Sequence, residues 1–95
     1  MKSNKHIITL NPVLDIIAAS NLKEQLVEKI DNEGDVIVDG GQVERIMMPC
    51  IQLIVAADII LSKKQSEIKL INASDELVCA LKDSGLEKQY SKWSN

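Results

Sequence analysis

Apolar and polar positions fall along this chain into three successive blocks, each a short β-branched run followed by a longer stretch with helical spacing, without internal sequence repeats. Residues 6–10 (HIITL) carry three β-branched side chains and predict a first strand, closed by the Asn11-Pro12 turn. Asp15 and the following IIAASNLKEQLVEKI predict a helix. Ala18, Leu22, Leu26 and Ile30 share one face, Lys23, Glu24, Glu28 and Lys29 lie opposite, and Asn32-Glu33-Gly34 is the stop.

Residues 35–39 form a second strand, whose unbroken Val36-Ile37-Val38 run predicts a position covered on both faces or central in the sheet. Gly40-Gly41 ends it, and 42–48 is a connection with Val43 and Ile46 tucked beneath. Pro49, with fixed φ and no amide donor, suits the first turn of a helix running to about Lys64. That helix is nearly all apolar for three turns, so it is either packed on most sides or keeps an exposed greasy surface for a partner. Residues 67–71 (EIKLI) alternate as a half-solvated strand. Ser74 caps a third helix, DELVCALKDSG, with Leu77, Val78, Ala80 and Leu81 inward and Gly85 as its stop. Residues 87–95 are polar apart from Tyr90 and Trp93 and read as a frayed helix or a loose tail. The order predicts an α/β fold with at least partly parallel strands.

Composition narrows the function. A chain of 95 residues is expected to be one domain, with a core over about 8–86 and a tail at 87–95. The formal charge of −3, with scattered Lys and Arg, leaves no basic footprint for nucleic acid or anionic lipid, and the absence of Phe removes a stacking platform for bases. The longest apolar run, 51–61, is interrupted by Gln52 and Asp58 and is well short of the ~20 residues that span a bilayer, so no membrane insertion is expected. Cys50 and Cys79 lie in helical apolar patterns without CxxC spacing, as small space-filling residues in a reducing interior. The expected location is cytoplasmic.

Catalytic and cofactor chemistry finds no constellation. His6 is the one histidine, and no partners for it are apparent. Gly40-Gly41 follows a strand but belongs to neither GxGxxG nor GxxxxGK[ST]. Asp15, Asp35, Asp39 and Glu44 are candidates for a carboxylate cluster at one sheet end, though such residues more often cap or solubilise. No cofactor, metal or enzymatic activity is expected.

The L-D-x(3)-A pattern at 14–19, the strand-loop VIVDGGQVERI, the helix start IQLIVAA and the segment KLINASDELVCALKDSGL together resemble a STAS domain, the fold of bacterial anti-sigma factor antagonists. The resemblance spans about residues 8–86. VERI followed by CIQLIVAA is similar to small stand-alone STAS proteins of chemotaxis gene clusters. It implies a mixed sheet, its first strand at an edge, with helices largely on one side. Phospho-regulated members open the second helix with Asp-Ser-Ser-Gly-Leu and phosphorylate the first Ser. Aligning Ile51 with the Leu puts Met47 at the Asp, Met48 at the phosphoacceptor, Pro49 next and Cys50 at the Gly.

A serine there would cap the helix and, once phosphorylated, set a dianion at its positive end; a thioether does neither. The resemblance thus implies partner binding without that switch, through Met47, Met48, Pro49, Ile51, Gln52 and Val55, with Asp39, Glu44 and Arg45 at the rim. At least one methionine should face solvent. The implied partner is a histidine kinase of a chemotaxis-type complex; alternatives are an anti-sigma factor and the ATPase of a lipid-transport ABC system. A nearly all-apolar helix is also compatible with a homodimer.

Overall fold

The central strand β3 (Val36–Asp39) lies between β1 (Ile7–Thr9) and β5 (Ile68–Ile71) in a three-stranded parallel sheet, Ile8 beside Val38 and Val38 beside Leu70. The computed structural model describes residues 7–32 and 34–94. The expectation for His6 falls outside these. β1 is an edge strand, and every described pairing is parallel.

Alternation decides which face of the sheet is covered. Ile8, Val36, Val38, Ile68 and Leu70 are buried, whereas Ile7, Thr9, Ile37, Asp39, Lys69 and Ile71 are half-buried or exposed. The Val36-Ile37-Val38 run therefore marks a central strand but not a doubly covered one, because Ile37 keeps partial access to solvent. An apolar residue on the open side hides the period-two signal that burial restores.

Two elements were not anticipated. β2 (Val13–Leu14) pairs in parallel with β4 (Arg45–Ile46), bringing the entrances of the first two helices together. A two-residue strand carries too short an alternation to be read from a sequence.

α1 (Ile16–Asp31) buries Leu22, Leu26 and Ile30 on one face, and the Asp15 carboxylate caps it by accepting from the Ala18 N–H at 3.0 Å. α2 (Met48–Lys63) buries Cys50, Ile51, Ile54, Ala57, Asp58 and Leu61, the spacing of one helical stripe. The two helices run side by side in the same direction. At their starts the Cys50 thiol lies 3.6 Å from the Asp15 carbonyl oxygen, and at their ends the Lys64 ammonium donates to the Ile30 carbonyl. Each Leu or Ile fully buried in this layer stabilises the fold by about 1.5–3 kcal/mol.

α3 (Asp75–Asp83) ends as its glycine demands. Gly85 takes φ +79°, and Leu86 N–H returns to the Leu81 carbonyl at 2.9 Å while Leu86 folds back on the core. Within α3, Leu77 and Leu81 are buried and Val78 and Ala80 half-buried. Cys79, expected as a space filler, is exposed because it lies on the opposite side of the helix from Leu77 and Leu81.

The expected tail is corrected most sharply. Residues Glu87–Trp93 form α4, which packs against β5 and places Trp93 in the core with 2% of its surface exposed. Lys92, half exposed, reaches the Asp58 carboxylate of α2 at 3.3 Å, a pair worth under about 1 kcal/mol at that exposure. Asp58, the one acidic residue of the apolar helix and its one buried charge, is thereby matched. No described helix is long and apolar enough to cross a membrane.

Candidate functional site

The start of α2 is held from below. The Met47 N–H donates to the Leu14 carbonyl at 2.9 Å, and the Ser74 hydroxyl donates to the Val43 carbonyl at 2.6 Å while accepting from the Leu77 N–H at 3.1 Å. Ser74 therefore caps α3 and pins the loop before α2 with one side chain. Asp39 accepts from the Gly41 N–H at 3.0 Å, closing the turn that launches this loop.

α1 and α3 are capped by side chains, but α2 is not. Met47 occupies its N-cap, extended at φ −101° and ψ 159°, and offers no acceptor. This shifts one expectation by a residue: the capping position is Met47, the residue that the resemblance sets at the Asp, and Met48 is the first helical residue. A phosphate at position 48 would still meet the positive end of the helix dipole, and Met48 has no oxygen to receive one.

Met48 is 49% exposed, and Met47 is half-buried. Ile51, expected on the binding surface, is only 3% exposed and forms a floor rather than a contact knob, since it lies three residues on and tilts toward the core. Met48 and Ile51 with Gln52, Val55, Ala56 and Ile59 make one side of an open groove, and Ser84 and Leu86 at the α3–α4 turn make the other. Met47 and Pro49 do not line it, although Pro49 is exposed beside it.

The groove therefore runs one turn beyond Val55. Ala56 and Ile59 continue the i, i+3, i+4 spacing from Met48 and were legible in the sequence; Leu86, brought in by the α3 stop, was not. From Met48 to Ile59 the lining contains no charged side chain.

The four carboxylates do not converge on a catalytic centre. Asp15 caps α1, Asp39 closes a turn, and Asp35 accepts from the Glu67 N–H at 2.9 Å at the other end of β3. Glu44 and Arg45 are exposed at the α2 entrance. Among the described residues no group of three or more His, Cys, Asp or Glu side chains is arranged to hold a metal.

Burial pushes the Cys50 thiol above its ordinary pKa, with the negative charge of Asp15 adding to the shift. A raised folded-state pKa favours the native state fully below the ordinary thiol range. That contribution is lost as pH rises through the folded value. Cys79 is expected to react with a thiol reagent at neutral pH well before Cys50, and Cys50 only after unfolding or strong alkali; mass mapping of labelled peptides checks the order.

Comparison with known proteins gives one family. The family model described as Mlab, STAS domain matches residues 1–91. No curated protein matches the chain.

Proposed function

We propose, because this chain belongs to the STAS domain family, that it is a non-enzymatic module that binds a protein partner through the start of α2 without phosphorylation there. STAS domains generally bind protein partners and regulate them, as anti-sigma factor antagonists do, and are generally non-catalytic. The finer reading is that the partner is a histidine kinase of a chemotaxis-type signalling complex in a bacterial cytoplasm. An anti-sigma factor and the ATPase subunit of a lipid-transport ABC system are the alternatives.

One observation carries this reading: the first residue of α2 is a half-exposed methionine opening onto an uncharged groove, in a family whose switchable members put a phosphorylatable hydroxyl there. A thioether adapts to a partner's shape and cannot be phosphorylated. Docking would use Met48, Gln52 and Val55 over the Ile51 floor, with Met47 and Pro49 at the entrance and Asp39, Glu44 and Arg45 at the rim.

Replacing Met48 by Asp sets a charge in the groove without disturbing the core. It is expected to weaken binding to the cognate kinase by about 10–100-fold in a calorimetric titration. Undiminished affinity would remove this surface from the interface. Incubation with the kinase and ATP should leave the protein's mass unchanged; a gain of one phosphate under kinase control would overturn the phosphorylation-independent reading.

A further inference from the structure

The α1–α2 layer has a second apolar strip, away from the Leu86 wall of the docking groove. Val27 is 51% exposed and Ile60 46% exposed, and between them Leu53 and the buried Ala57 floor a shallow trough along the seam of the two helices. Among the described residues nothing covers this strip. Charged residues of both signs lie about it: Lys23 lines the trough, Glu24, Glu28 and Asp31 flank Val27 on the outer side of α1, and the exposed Lys63 follows Ile60 by one turn on α2.

We propose that this face is a two-fold interface between two copies of the chain, with α1 of each copy lying on α2 of the other and the symmetry axis running along the seam. Geometry gives the reason. Lys64 just past the end of α2 reaches the Ile30 carbonyl at the end of α1, and Val27 and Ile60, each about one turn before these residues, line the same trough from opposite sides. Rotation about an axis along the seam exchanges the helices without changing height. Val27 of each copy then meets Ile60 of the other, and Glu28 of each comes beside Lys63 of the other. Opposite charges are paired twice by a single operation, as an isologous contact requires.

The size also fits. Two 16-residue helices are each about 24 Å long and about 10 Å apart. Their corrugated outer face approaches the ~600 Å² per partner at the lower end of specific interfaces. An apolar centre with a charged border is the expected anatomy of such a contact. This inference does not depend on which partner occupies the Met48 groove, although Ala56 lines both surfaces.

Sedimentation velocity of the full chain at concentrations into the hundreds of micromolar tests it. The unaltered protein is expected to sediment as a dimer in reversible exchange with monomer, and Val27→Lys to raise the dissociation constant at least about 10-fold. Val27 is half exposed, so circular dichroism should show the variant folded. Glu28→Lys and Lys63→Glu should each weaken the dimer several-fold, and the two together should restore it. A monomer throughout the range, a dimer indifferent to Val27→Lys, or a double reversal no better than either single one would overturn the proposal.

Discussion

Replacing Trp93 by Ala is expected to destabilise the fold by about 3–5 kcal/mol in urea unfolding, a large share of the stability of a domain of this size. The indole sits in the main core cluster and is delivered there by a seven-residue helix with no side-chain cap of its own. Removing it leaves a cavity under α4 and frees that helix from β5. The indole Nε1–H is buried with no acceptor among the described residues, which sets a second expectation. Trp93→Phe discards an unsatisfied donor along with part of the ring, so its cost should be well below that of Ala. A Phe variant as unstable as the Ala variant would show that the indole N–H has a partner. Trp93 is the single tryptophan, so the red shift of its emission on unfolding reports directly on this site.

Leu77→Ala should cost about 2–5 kcal/mol, and the loss should be smaller when Gly40 is changed as well. Leu77 is 1% exposed where α3 meets the end of β3. A Cβ built on Gly40 would clash with the Leu77 Cδ2 and otherwise make only ordinary contacts at 3.6 Å, so this methyl is what requires glycine there. Gly40→Ala alone forces the leucine off its rotamer, at about 1–3 kcal/mol. In the double variant each change relieves the other: the added methyl enters the space that the leucine vacates. A double-mutant cycle should therefore give a favourable coupling of about 0.5–3 kcal/mol. Additive losses would mean that the two positions do not share this space. Ser74, which ties the same corner to the loop before α2, connects this packing to the docking groove.

Much of the fold was legible because burial follows simple periods. The α1 stripe at Leu22, Leu26 and Ile30, the Ser74 cap and the Gly85 stop each combine a local backbone requirement with a matching residue type. Elsewhere the local pattern carried too little. α4 has one buried residue, and a single Trp among Lys88, Gln89, Ser91 and Lys92 shows no period. Cys79 and Ile37 show that an apolar residue type does not specify the side it faces.

The candidate site divides the same way. Met48, Gln52 and Val55 follow from helical spacing and line one wall, whereas Leu86 arrives from a distant turn and Ile51 sinks to the floor. The residue setting the N-cap could not be fixed to better than one position, since cap geometry depends on where the β2–β4 pair releases the chain.

The route by which the core closes follows from its two outermost members. Ile8 on the first described strand and Trp93 at the end of the last helix belong to one cluster, so the finished interior joins opposite ends of the sequence. Contacts of such separation form late, after the large loop-closure entropy has been met, and they slow folding. During synthesis β1 and β5 must wait with this end of the core incompletely covered until α4 has formed, an interval in which aggregation competes with maturation.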